Sequence, residues 1–251
     1  MPAERPTVVA TSGGFRRAER GGLDLAGLVH HAVDRARVPA GRRPRLCWLG
    51  TAGGDQRARS ADVHDAGWRA GVDVSVLDLF PMPSVGDVRA HLLAQDVVWV
   101  GGGSVVNLLA VWRAHGLEGP LREAWEAGVV LGGVSAGSIC WYAGGTTDSY
   151  GPQLRAVTDG LGFLPYGNGV HYDSEERRRP LVHALVGDGT LGETHCTDDG
   201  VGLVYEGTEL AEAVAEVPGR GAYVVRREAG GVVETRLEPR LLPPDGTWRR
   251  A

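Results

Sequence analysis

Five short runs of apolar and β-branched residues, Thr7 to Ala10, Arg45 to Leu49, Val72 to Leu77, Val97 to Val100 and Val129 to Leu131, have the pattern of strands buried on both faces. Between them lie stretches with helical periodicity: Leu23 to Ala36, Arg57 to Ala70, Val85 to Ala94, Val105 to Ala114 and Leu121 to Glu126. Strand and helix alternate from Thr7 to about Tyr142, which predicts an α/β fold: a three-layer, doubly wound, mostly parallel sheet with right-handed crossovers. Beyond Gly200 the texture changes. Val201 to Tyr205, Leu210 to Val217, Ala222 to Arg227 and Val232 to Arg236 are short runs separated by Glu-Gly-Thr, Pro-Gly-Arg-Gly and Ala-Gly-Gly, which are turn signals. They predict a C-terminal antiparallel extension, residues 206–240, on a core of residues 7–205. No tract rich in Pro, Gly or Ser separates two units, so the expectation is a single domain over residues 1–251.

Composition narrows the class. With 43% hydrophobic and 23% charged residues the chain is an ordinary globular one. A net charge of −5 leaves no broad basic face to neutralise a phosphate backbone, so nucleic acid is not expected as a partner. The start, Met1-Pro-Ala-Glu-Arg-Pro-Thr, lacks the basic and apolar regions of a secretory signal, and no stretch reaches the roughly 18 apolar residues of a membrane span. A cytoplasmic location without membrane attachment is expected. Cys47, Cys140 and Cys196 are odd in number and widely spaced, which fits reduced, buried thiols better than a disulfide framework.

In an open α/β sheet the working groups stand at the carboxyl ends of the strands. Four such ends are rich in glycine: Thr11-Ser-Gly-Gly, Gly50-Thr-Ala-Gly-Gly-Asp, Gly101-Gly-Gly-Ser and Gly132-Gly-Val-Ser-Ala-Gly-Ser. None fits a dinucleotide fingerprint, and the chain lacks the lysine of a P-loop, so no nucleotide cofactor is expected. The last of them passes from a buried strand through Gly133-Val-Ser-Ala-Gly137 into a helical stretch, Ser138 to Tyr142. That is the strand, sharp turn and helix of a nucleophile elbow, with Ser135 at its tip.

A serine hydroxyl needs a base, and the base needs an orienting group. His30, His31, His64, His91, His115 and His183 fall in or beside helical stretches, where a structural role is the default. His171, in Asn168-Gly-Val-His-Tyr-Asp, and His195, in Glu193-Thr-His-Cys, remain, and the loop composition around His171 suits an exposed base. Asp198-Asp199-Gly200 lies at a turn between two short strands, where a carboxylate reaches across the sheet top or merely makes the turn. No His, Asp and Glu fall at metal-ligand spacing on one predicted helix, so no metal is expected.

These residues resemble the dipeptidase E and cyanophycinase group of serine peptidases, whose sheet is similar to that of class I glutamine amidotransferases. The resemblance runs to about Tyr205 and rests on Val100-Gly-Gly-Gly-Ser…Asn107-Leu-Leu, Gly132-Gly-Val-Ser-Ala-Gly-Ser-Ile-Cys-Trp, His171-Tyr-Asp and Asp198-Asp-Gly. It implies Ser135 as nucleophile, His171 as general base, Asp199 as third member, and an oxyanion hole from the amides of Gly103 and Ala136. It implies hydrolysis of small peptides, with preference for an N-terminal aspartate. Two positions depart from the family pattern: Asp199 stands for a glutamate, and Ser104 for the asparagine after three glycines. The second bears on specificity. Ser104, Asp173, Glu175 and Glu176 are further candidates for contact with substrate, the acids with its α-ammonium, and Arg177, Arg178 and Arg179 with its carboxylate. An esterase or amidase on the same elbow, and a non-catalytic ligand-binding domain, are the competing expectations. A monomer and a homodimer are both compatible with the sequence.

Overall fold

A computed structural model describes residues 3–19 and 21–243. Within them β1, Thr7–Thr11, is followed by a small hairpin, β2 (Phe15–Arg17) and β3 (Leu23–Leu25), and by α1 (Gly27–Arg35). Then come β4 (Arg45–Leu49), α2 (Arg57–Ala70), β5 (Asp73–Val76), α3 (Val88–Leu93), β6 (Val97–Val100), α4 (Val105–Ala114), α5 (Glu118–Glu126), β7 (Val130–Val134) and the short α6 (Ala136–Ile139). The second half contains β8 (Tyr142–Thr147), β9 (Arg155–Val157), β10 (Leu164–Gly169), α7 (Arg178–Gly187), β11 (Thr194–Thr197), β12 (Val201–Glu206), β13 (Glu209–Ala215), β14 (Ala222–Glu228), β15 (Gly231–Leu237) and β16 (Arg240–Leu241).

The main sheet runs β16-β13-β12-β1-β7-β6-β4-β5, and β1, β7, β6, β4 and β5 are mutually parallel. Successive residues of these strands feed opposite faces, as strand geometry requires. Val9, Leu46, Trp48, Val97, Trp99 and Val130 pack with residues of α1 and α2. Val8, Cys47, Leu49, Val98, Val100 and Leu131 pack with residues of α3, α4 and α5. The three-layer, mostly parallel α/β expectation therefore holds. Trp99 and Trp112 are fully buried, and truncating a side chain of this size to alanine typically costs about 3–5 kcal/mol.

A second sheet, β15-β14-β11-β10-β8-β9, was not foreseen in the sequence. It is mixed: β10 is parallel to β8 and β11, β14 is antiparallel to β11, and β15 is antiparallel to β14. The predicted C-terminal extension thus divides. The β12–β13 hairpin continues the main sheet, and the β14–β15 hairpin continues the second one. Helix α7 covers the second sheet through Val182 and Val186, which pack with Tyr172, Leu191, Cys196 and Val225.

The two sheets are joined by a buried polar contact. Tyr205 on β12 shares its hydroxyl with Tyr142 of β8 (3.0 Å) and with Nδ1 of His195 on β11 (2.6 Å). His195 is 2% exposed, and burial holds its pKa below 6.5. All three cysteines are free and buried, and burial raises the Cys47 thiol to about 12. Among the described residues no helix is long and apolar enough to cross a membrane. The single-domain expectation over 1–251 includes residues 1, 2, 20 and 244–251, which lie outside the described residues, as do Met1 and Pro2 of the segment read for a leader.

Candidate active site

The carboxyl ends of β1, β6 and β7 meet at Ser135. This residue leaves β7 with φ 58 and ψ −115, a conformation that costs a non-glycine residue roughly 1–3 kcal/mol and persists only where the surroundings impose it. Here they do. The Ser135 N–H donates to the Thr11 carbonyl (3.0 Å), and its own carbonyl accepts from Ser138 (2.8 Å) and Ile139 (2.9 Å). A side chain on Gly137 would bring its Cβ within 2.3 Å of the Val100 carbonyl oxygen, so the elbow closes only with glycine there. The helix begins at Ala136 rather than Ser138, and Tyr142 already belongs to β8. The Ser135 hydroxyl makes no hydrogen bond among the described residues.

The glycines after β6 form the facing wall. A Cβ built on Gly102 would lie 3.4 Å from Ser135 Cβ and 4.0 Å from its Oγ. At Gly103 φ is 140, and a Cβ would fall 2.2 Å from the Ala52 carbonyl oxygen, which makes glycine obligatory. The N–H groups of Gly103 and Ala136 donate to no protein acceptor among the described residues. Ser104 serves its own helix: its hydroxyl accepts from the Asn107 N–H (3.2 Å) as the N-cap of α4.

The second sheet supplies the remaining groups. His171 follows β10 in a left-handed conformation, φ 52. Its Nδ1 lies 2.5 Å from Asp199 Oδ1. An ionised carboxylate can only accept, so Nδ1 carries a proton in this contact, and in the neutral ring Nε2 is then the acceptor. Asp199 sits in the turn where the chain leaves β11 and enters β12 in the main sheet. Its neighbour Asp198 points elsewhere, accepting from the Gly221 N–H (2.8 Å) and the Tyr223 hydroxyl (3.3 Å). Of the two histidines left open by the sequence, His171 is in this cluster, and His195 is buried in the junction between the sheets.

Two of the predicted substrate contacts are occupied inside the protein. Asp173 accepts from the Asp199 N–H (2.8 Å) and pairs with Arg220. Arg178, 2% exposed, donates to the Thr146 carbonyl and hydroxyl and to Glu175 Oε2 (2.6 Å). Its guanidinium is therefore a structural cation and not a receptor for a substrate carboxylate. Beside the site lies a cleft of about 580 Å3 lined by Asp148, Leu154, Glu175, Glu176 and Arg177 among others. One wall is tied to the residue after Ser104, because Ser149 Oγ accepts from the Val105 N–H (2.9 Å). The other is tied to His171, whose carbonyl accepts from the Glu175 N–H (3.1 Å).

A strained serine on a strand-to-helix turn, with open amides and an imidazole–carboxylate pair held from the same Thr11-Ser12 strand end, is the layout of an acyl-transfer hydrolase. Comparison with known proteins makes the class specific. Residues 27–213 match the model of peptidase family S51. The chain belongs to peptidase family S51 and is a serine peptidase. It is 35% identical over 235 residues to the uncharacterized peptidase YgaJ of Bacillus subtilis (strain 168), covering 94% of this chain and 98% of that one. It is 31% identical over 158 residues to peptidase E of Streptomyces coelicolor (strain ATCC BAA-471 / A3(2) / M145), covering 58% of each. The crystal structure of a peptidase from an acI-B1 Actinobacterium shares the fold, with a TM-score of 0.64 at 15% identity over 95% of this chain and 96% of that one.

Proposed function

We propose that the protein is an exopeptidase of small, unblocked peptides that works through a Ser135–His171–Asp199 triad and a covalent acyl-enzyme. The observation that carries this reading is the convergence of Ser135, His171 and the residue after Asp199 on one strand end, Thr11-Ser12. Ser135 bonds the Thr11 carbonyl, His171 bonds the Ser12 hydroxyl (3.0 Å), and Gly200, next to Asp199, bonds the Ser12 carbonyl (2.9 Å).

In this reading Nε2 of His171 takes the proton from Ser135 Oγ as Oγ attacks the scissile carbonyl carbon. The tetrahedral oxyanion is met by the N–H groups of Gly103 and Ala136, whose directions are fixed before substrate arrives. The C–N bond then breaks, and His171 returns the proton to the leaving amine. Water, activated by the same imidazole, hydrolyses the acyl-serine and restores the hydroxyl. Asp199 holds His171 in the tautomer that leaves Nε2 able to accept, and stabilises the imidazolium formed midway. The adjoining cleft has two acids, Asp148 and Glu176, against Arg177, Glu175 being paired with Arg178. This balance favours a free α-ammonium over the side chain of an N-terminal aspartate.

The test is Ser135→Ala with a panel of free and blocked dipeptides and a fluorophosphonate probe. Turnover is expected to fall by about 10^4-fold or more, with labelling abolished and the melting temperature retained. A variant that still turns over peptides at the parental rate would remove Ser135 from the chemistry. Equal rates on N-blocked and free dipeptides would remove the exopeptidase assignment and leave the nucleophile.

A further inference from the structure

We infer that Ser12 is a positioning residue of the active site: its side-chain hydroxyl locks the His171 backbone in the conformation that aims the imidazole at Ser135. The inference rests on the proposed Ser135–His171–Asp199 reading and goes one layer beyond it.

Ser12 is the first residue after β1 and is 4% exposed. Each of its polar groups is bonded to a segment that carries a triad member or leads from one. Its N–H donates to the Val201 carbonyl (2.8 Å), and its carbonyl accepts from the Gly200 N–H (2.9 Å). These two bonds fix the chain just past Asp199, and any residue type could make them. The close approach they need comes from glycine: a Cβ on Gly13 would stand 3.0 Å from Gly200 Cα. The third contact depends on the side chain. Ser12 Oγ accepts from the His171 N–H (3.0 Å). The single hydroxyl hydrogen is directed to Thr197, whose Oγ1 lies 2.7 Å away and whose carbonyl oxygen lies 3.2 Å away. Thr197 ends β11 and in turn receives the Tyr172 N–H on its carbonyl (3.0 Å).

His171 needs such a hold because of its backbone. At φ 52 an L-residue other than glycine is in a sparsely populated region, which the bonds around it must hold against relaxation to negative φ. Relaxation would swing Cβ and the ring away from both Asp199 and the elbow. The N–H bond to Ser12 fixes the peptide plane before the His171 Cα, the Tyr172 N–H bond to Thr197 fixes the plane after it, and the two together hold φ. The bond to Ser12 also crosses between sheets, since Ser12 belongs to the end of a main-sheet strand and His171 to a second-sheet loop. The adjacent Thr11 holds Ser135 in the same way through its carbonyl. One dipeptide therefore sets the spacing between nucleophile and base.

The experiment compares wild type, Ser12→Ala and Ser12→Thr in steady-state kinetics on one unblocked dipeptide, in pH profiles, and in the rate of fluorophosphonate labelling. Misplacing a catalytic group by about 1 Å can cost 10^2-fold in rate. For Ser12→Ala we expect kcat to fall about 10- to 100-fold with KM within about twofold. The acid limb of the kcat/KM profile should move to lower pH, because a ring less firmly held by Asp199 gains less stabilisation as imidazolium. Ser12→Thr, which keeps the hydroxyl, should restore most of kcat and return the limb. A merely structural role would lower the melting temperature and the fraction of active protein in both variants and leave the limb where it was. That result, or Ser12→Ala labelling at the wild-type rate, overturns the assignment of Ser12 alone. If wild type itself fails to label, the triad reading falls and this inference falls with it.

Discussion

The two sheets were built by different means. In the main sheet the strands are the source of the core: β1 and β6 are buried along their whole length, and their alternating side chains fill two hydrophobic layers. In the second sheet the backbone itself is often the packing surface. A Cβ on Gly145 would fall 2.4 Å from the Asn168 carbonyl oxygen, one on Gly144 would fall 2.4 Å from that of Val157, and one on Gly167 would fall 2.3 Å from Thr194 Oγ1. Strands such as Tyr-Ala-Gly-Gly-Thr-Thr and Leu-Pro-Tyr-Gly-Asn-Gly are therefore strands because of what surrounds them. The regular sheet presents the strained Ser135, and the irregular one presents the His171 loop. The candidate active site is where the ends of the two meet.

The strongest way to break that division of labour is at the junction. Asp199→Asn keeps the shape of the turn and offers an amide in place of a pure acceptor, so His171 can adopt the wrong tautomer. We expect kcat to drop by about 10^4-fold, the order such a change brings to a serine triad, with an unchanged melting curve. A drop of less than tenfold would mean that the 2.5 Å contact does not serve the reaction. A smaller effect is expected where the sheets are clasped. Tyr205→Phe removes the hydroxyl shared by His195 and Tyr142 and leaves both buried groups short of a partner. About 1–3 kcal/mol of stability should be lost per orphaned group, read as a shift in the urea midpoint.

The mildest probe is pH. Burial lowers the His195 pKa in the folded protein below its unfolded value of 6.5. Above that value both states hold a neutral ring, and its charge contributes nothing to the pH slope. Below it the unfolded chain takes up the proton first, so stability falls as the medium becomes more acidic, by at most about 1.4 kcal/mol per pH unit for one group. His31, also lowered by burial although Glu212 opposes the shift, acts in the same direction. Urea midpoints at pH 7.5 and 5.5 should show the loss, and His195→Phe should reduce it. An identical slope in that variant would place the effect on other groups.

Much of this molecule is legible in its residue pattern. The five parallel strands and the helices between them are announced by runs that must be buried, because apolar side chains at strand and helix spacing have few other stable arrangements. The elbow is announced as well, since only glycines permit the approach of Gly137 to Val100. The small β2–β3 hairpin, whose second strand takes the first residues of the stretch read as one helix from Leu23, and the strands β8 to β11, carry no such mark. Local sequence only leans towards His171 through its loop composition, and what separates it from His195 is what the fold puts around each. Likewise Asp173 and Arg178 read as candidate substrate contacts, yet one grips the Asp199 backbone and the other is enclosed by β8 and Glu175. Hydrophobic burial acts over a few residues of spacing and so is written along the chain. The meeting of Ser12, Ser135, His171 and Asp199 depends on hydrogen bonds between distant positions, such as Ser12 and Thr197, 185 residues apart, and only the closed three-dimensional structure brings those partners within reach.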